Sequence, residues 1–190
     1  MRVKICGITS VDDGLAAQSA GADAIGVVMY SHSNRLVGRE RAKEIFAALG
    51  PFTATVAVSH TTDPREFADM LALCPTAVQI SYPFPVPEKT GAKVLRVITK
   101  GQPLPIDCDA IVIDESRGEG RRFDPAFARD VVQRSQVPVI LAGGLTPENV
   151  VEAATLVRPY AVDVASGVEA YPGVKDHEKM QAFIAACRGV

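Results

Sequence analysis

Short apolar runs rich in valine and isoleucine recur eight times along the chain, at RVKIC, DAIGVVMY, TATVAVS, TAVQI, KVLRVIT, DAIVID, PVILAGG and AVDVAS. Between most of them Ala, Leu and charged residues fall at helical spacing, in SVDDGLAAQSAG, GRERAKEIFAALG, DPREFADMLALC, DPAFARDVVQRS, TPENVVEAATLV and KDHEKMQAFIAAC. Strands that alternate with helices predict a parallel sheet whose faces are covered. Eight repeats predict an α/β fold of the closed (β/α)8 TIM-barrel type, with an open doubly wound sheet as the alternative. Two helix starts are marked by caps: Ser10 before VDDG, and Thr146 before PEN, with Pro147 expected at the first helical position.

The chain has 190 residues, few for a barrel that typically takes about 250. The saving is expected in the fourth and fifth connections, YPFPVPEKTGA and KGQPLPIDC, whose prolines cannot hold a full helix. The expected barrel is therefore compact, with helices 4 and 5 shortened or missing. No linker or low-complexity tract divides the chain, so residues 1–190 are read as one domain.

Composition narrows the partners. Hydrophobic residues make up 47%, charged residues 22%, and the net charge is -2, which gives no broad basic field for nucleic acid. No apolar run approaches the ~20 residues of a membrane span, and the chain enters a strand pattern without a leader. Cys6, Cys74, Cys108 and Cys187 are far apart, with no C-x-x-C pair and no zinc spacing. Reduced thiols, a cytoplasmic location and no metal site are the expectations, and an anionic small molecule must be met by local basic groups.

In such a barrel the active site lies at the C-terminal ends of the strands. The residues that end the runs are Cys6, the SHSNR segment after strand two, Ser59 and His60, Gln79 and Ser81, Asp114, AGG at 142–144 and ASG at 165–167. The glycine-bearing ends follow strands seven and eight, where backbone N–H groups frequently bind phosphate. Gly143, Gly144, Ser166 and Gly167 are thus candidates for holding a phosphorylated small-molecule substrate, with GVEAYPG as an extra helical turn. Asp114 ends an apolar strand, where a carboxylate needs a partner or a task. Otherwise it braces the loop ESRGEGRRF. Cys6 and Asp114 face each other across the expected barrel mouth, a placement that suits a base and an acid acting on one substrate.

Alternation puts Lys4 on the same face as Cys6. A lysine there can favour the thiolate, unless Asp163, inward on the adjoining eighth strand, neutralises it. Arg35 is placed to meet an anionic group by a bidentate contact. His32 and His60 follow strands and can reach the mouth, whereas His177 is expected at the surface or as a cap. No G-x-S-x-G elbow, metal-ligand cluster or nucleotide loop is present.

These residues, and most specifically KICGIT, GADAIGVVMYSHSNR, LAGGLTPENV and VRPYAVDVASGVEAYPGVKDHEKM, resemble the phosphoribosylanthranilate isomerase family of tryptophan biosynthesis from end to end. The resemblance implies a (β/α)8 barrel, no cofactor, and an Amadori rearrangement of N-(5-phosphoribosyl)anthranilate to the 1-amino-1-deoxyribulose 5-phosphate. It implies Cys6 as the general base at C2 of the sugar and Asp114 as the general acid at the ring oxygen. It also implies Arg35 at the anthranilate end and the two glycine loops at the phosphate.

Two departures stand out. VQISY replaces the family's usual Gln-Leu-His-Gly, putting Ser81 where an inward His is usual, and the loop after Asp114 lacks the usual small residues. A related aminoribosyl phosphate as substrate is a second reading, and a non-catalytic phosphosugar-binding barrel a third. The second would ordinarily require two phosphate sites and a longer chain, and the third leaves Cys6 and Asp114 without a role. The outer helix faces do not separate a monomer from a homodimer.

Overall fold

The strand Arg2–Cys6 (β1) pairs in parallel with Ala24–Val28 (β2) on one side and Ala161–Val164 (β8) on the other, which closes the sheet. A computed structural model describes residues 1–87, 89–114 and 123–190. Between β2 and β8 run Ala54–Ser59 (β3), Ala77–Ser81 (β4), Lys93–Ile98 (β5), Ala110–Ile113 (β6) and Val139–Leu141 (β7). Each pairs in parallel with its sequence neighbours to form one closed barrel.

Side-chain alternation explains the two cores. Val3 and Ile5 of β1 face outward into the layer between sheet and helices, while Lys4 and Cys6 face the barrel interior. Inside, Val56, Val58, Leu95, Val97, Val112 and Ile140 fill the space. The barrel is thus a packed core with its opening at one end.

Helices follow β1, β2 and β3, namely Val11–Ala20 (α1), Arg39–Ala48 (α2) and Pro64–Leu71 (α3). They also follow β6, β7 and β8, as Pro125–Arg134 (α4), Val150–Val157 (α5) and His177–Arg188 (α6). Among the described residues no helix follows β4 or β5, as the prolines predicted. On that side Arg96 of β5 points outward and is buried against loop residues. It pairs with Asp107 and lies over the Tyr82 ring.

Local sequence sets the helix starts. The Ser10 hydroxyl accepts from the Asp13 N–H at 3.1 Å, the cap expected from sequence. Asp63 and Asp124 cap α3 and α4, each followed by proline, and Asp176 caps α6. The expected cap at Thr146 needs correction: regular α5 starts at Val150, and residues 146–149 form a turn. Asn149 causes the difference, because its Oδ1 accepts from the Thr146 N–H at 2.8 Å and its Nδ2 donates to the Gly144 carbonyl at 2.9 Å. The amide is spent on bracing the loop.

The segment after β8 differs from expectation as well. Only Ser166–Val168 forms a helical turn, of the 3-10 type; Glu169–Tyr171 (β9) and Val174–Lys175 (β10) then make an antiparallel hairpin. Glu169 and Lys175 are both drawn inward by the contacts described below, and Gly173 takes the turn with a φ of 88°.

Candidate active site

One pocket opens at the C-terminal ends of the strands. It is lined by Cys6 from β1, Ser33 and Arg35 from the β2–α2 loop, His60 after β3, Gln79 from β4 and Asp114 after β6. Ala142–Leu145 after β7, Asp163 of β8 and Ser166 complete the polar part of the wall. Six of the seven residues given a catalytic or substrate-binding role from the sequence therefore share one cavity: Cys6, Arg35, Asp114, Gly143, Gly144 and Ser166. Gly167 does not line it. A Cβ there would overlap the Leu145 carbonyl oxygen, so Gly167 is the point at which the loops after β7 and β8 touch. The loop after Asp114, 115–122, lies outside the described residues.

On the floor, the Lys4 ammonium donates to Asp163 Oδ2 at 2.7 Å, and both side chains are buried. Burial opposes the lysine's charge, but Asp163 and then Cys6 outweigh it and hold the group above its ordinary range. Burial holds the Cys6 thiol above its ordinary value; Lys4 offsets part of that rise and Asp163 adds to it. Room for both side chains comes from Gly26, directly across from Cys6 on β2.

Arg35 is held rather than loose. Its Nε and Nη2 donate to Glu169 Oε1 and Oε2 at 2.7 and 2.8 Å, a bidentate pair. Lys175 Nζ, fully buried, donates to the same carboxylate at 3.1 Å and to the Ala165 carbonyl at 2.9 Å. Burial works against the Glu169 charge, yet Arg35 and Lys175 keep its carboxyl below the ordinary value. The partner of the bidentate contact anticipated for Arg35 is thus a residue of the chain itself. Gly7, with a φ of 72°, clears a path for the Arg35 stem, since a side chain there would run into its Cδ. Neither Glu169 nor Lys175 stood out in the sequence, where a three-residue and a two-residue strand leave no alternation to read.

His60 reaches the pocket, and its Nδ1 lies 2.9 Å from the Ser81 hydroxyl. Ser81 itself is off the pocket wall. His32 lines outer depressions instead, and His177 ties α6 to Asp13 of α1 at 2.9 Å. Among the described residues, no group of three or more His, Cys, Asp or Glu is arranged around a metal position. No helix of the described residues is long and apolar enough to cross a membrane.

The family described as N-(5'phosphoribosyl)anthranilate (PRA) isomerase matches residues 3–186. The chain belongs to that family. The N-(5'-phosphoribosyl)anthranilate isomerase of Methanoregula boonei is 58% identical over 189 residues, covering 99% of this chain and 97% of the relative. The solved phosphoribosyl anthranilate isomerase from Thermus thermophilus superposes with a TM-score of 0.87 at 35% identity, covering 100% of this chain and 99% of the other. A second phosphoribosyl anthranilate isomerase, solved in complex with reduced 1-(o-carboxyphenylamino)-1-deoxyribulose 5-phosphate, has a TM-score of 0.82 at 34% identity, with both chains fully covered. For a phosphoribosylanthranilate isomerase barrel the pocket has a sensible composition. It brings together backbone of the β7 and β8 loops, the Arg35 guanidinium, the His60 imidazole, Cys6 of β1 and Asp114 after β6.

Proposed function

We propose that Cys6 and Asp114 are the base and acid of an aldose–ketose isomerisation, and that the whole chain, 1–190, forms the catalytic unit. The reaction of the family is the isomerisation of N-(5-phosphoribosyl)anthranilate in tryptophan biosynthesis. One observation supports the residue assignment above the rest: a thiol and a carboxylate from two different strands line the same pocket as the glycine ends of β7 and β8.

The chemistry follows from that placement. Asp114 gives a proton to the furanose ring oxygen, the bond from that oxygen to C1 breaks, and the anthranilate nitrogen lone pair closes a C=N bond at C1. C2 now stands beside an iminium and its proton is acidic, so a modest base suffices. The Cys6 thiolate takes that proton, and the C–H electron pair becomes the C1=C2 bond of an enolamine. Return of a proton at C1 and loss of the hydroxyl proton at C2 give the ketose. Holding both groups against one bound substrate supplies the orientation term.

In this reading the N–H groups of Gly143, Gly144 and Ser166 receive the phosphate, with Asn149 fixing the shape of the first loop. Gly167 contributes by letting the second loop lie on the first. The anthranilate carboxylate meets Arg35, whose guanidinium Glu169 has already oriented. A biosynthetic phosphosugar substrate and four free cysteines support the reading of a cytoplasmic enzyme. The test is to add purified protein to freshly prepared N-(5-phosphoribosyl)anthranilate and follow the loss of substrate fluorescence. Absence of turnover by well-folded protein would sink the assignment.

A further inference from the structure

The base needs its sulfur as a thiolate, yet Cys6 is buried in the barrel wall at 8% exposure, where a bare anion is costly. The surroundings supply the compensation. Lys4 and Cys6 project from the same face of β1 over Gly26 of β2. A Cβ built on Gly26 would lie 2.8 Å from Cys6 Sγ, 3.0 Å from Lys4 Cε and 3.1 Å from Lys4 Nζ. Sulfur and ammonium thus converge on a space that only glycine leaves open. Asp163 on β8, in register with Lys4, anchors the ammonium through Oδ2 at 2.7 Å. Among the described residues its other oxygen, Oδ1, is buried without a hydrogen-bond partner, so its hydrogen bonding goes to Lys4.

We propose that Lys4 is a positioning residue for the base: its ammonium, anchored by Asp163 and converging with the sulfur over Gly26, favours the Cys6 thiolate that takes the substrate proton. The inference rests on the reading of Cys6 as the base. Lys4 keeps its own proton throughout, and the substrate proton passes from C2 to sulfur. Among the described residues the charged groups that act on Cys6 are Lys4 from its own strand, Asp163 from β8, Lys175 from β10 and Arg35 from the β2–α2 loop. Asp163 disfavours the thiolate and the three cations favour it. Lys175 and Arg35 share Glu169 as their counter-charge, whereas Lys4 is the cation that converges with the sulfur over Gly26.

The test is the pH dependence of Cys6 alkylation by iodoacetamide in the intact protein, read by peptide mass mapping that separates Cys6 from Cys74, Cys108 and Cys187. Lys4→Met is expected to raise the midpoint by about one pH unit or more. Lys4→Arg is expected to restore most of the difference. Because Lys4→Met strands a buried carboxylate and threatens folding, the double variant Lys4→Met with Asp163→Leu replaces the whole pair by apolar groups, and an upward shift is again expected, smaller because Asp163 no longer opposes the thiolate. In the fluorescence assay either variant should lower kcat at neutral pH about tenfold, with KM changed much less and activity recovering as pH rises. A Cys6 midpoint equal to wild type in a folded Lys4→Met or double variant overturns the proposal. The alkylation needs no substrate, so its outcome is independent of whether the proposed reaction is the right one.

Discussion

Gly167 rests on the main chain of Leu145. A Cβ at that glycine would overlap the Leu145 carbonyl oxygen, lie 2.9 Å from its carbonyl carbon and come within 3.2 Å of the Thr146 Cα. All three neighbours are backbone and cannot swing aside. Gly167→Ala must therefore push the β8 loop off the β7 loop and spread Gly143, Gly144 and Ser166. We expect KM for the phosphorylated substrate to rise about tenfold or more, with a smaller change in kcat. Inorganic phosphate as a competitive inhibitor should weaken in parallel, and unchanged inhibition would refute the link.

Cys6→Ser and Asp114→Asn remove the proposed base and acid with little change in volume. Each is expected to lower kcat by roughly 10²–10⁴ while near-UV circular dichroism and the melting temperature stay close to wild type. Near-normal turnover by either variant would remove that residue from the mechanism.

The Glu169 carboxylate joins the loop after β2 to the loop after β8 through Arg35 and Lys175. Its folded-state pKa is held below the ordinary value of 4.5. A depressed carboxylate contributes stability in full above the unfolded-state pKa, and that contribution is lost as pH falls through the folded-state value. Glu169→Gln should melt at a lower temperature than wild type near neutral pH, and the difference should shrink as the solution is taken below pH 4.5. A difference that stays constant through the acid range would contradict this account.

Arg96 is 1% exposed, and its Nε and Nη1 have no acceptor among the described residues. Its partner Asp107 is about half exposed and does not become a stranded buried charge when the arginine goes. Arg96→Met keeps an unbranched stem beside Tyr82 and removes two unsatisfied donors, so chemical denaturation should show it equal to wild type or more stable by about 1 kcal/mol. A loss of more than about 2 kcal/mol would show that the guanidinium carries more of this wall than its contacts indicate.

The barrel was legible because each strand is a short valine- and isoleucine-rich run and each helix has its own period. The site was legible because strand ends name the mouth of such a barrel, so Cys6, Asp114 and the glycine pairs could be picked out by position. Contacts between elements distant in sequence were not. Lys4 and Asp163 were known to share the interior, but whether they meet depends on the β1–β8 register. Arg35 was expected to await an anion, and its pairing with Glu169 depends on a hairpin too short to leave a pattern. Thr146 looked like a cap because Ser and Thr usually act locally, whereas Asn149, one turn later, reaches back across the loop.

The missing helices are not randomly placed. Cys6, Arg35, Asp114, Gly143, Gly144 and Ser166 stand on or just after β1, β2, β6, β7 and β8, and every one of those strands leads into a helix. Among the described residues β4 and β5 lack theirs, and together they give the pocket wall one residue, Gln79. Working parts and economies thus occupy opposite arcs of the same ring. The arc from β4 to β5 is accordingly where the polypeptide can be lengthened, tagged or given new termini while the working arc keeps its shape.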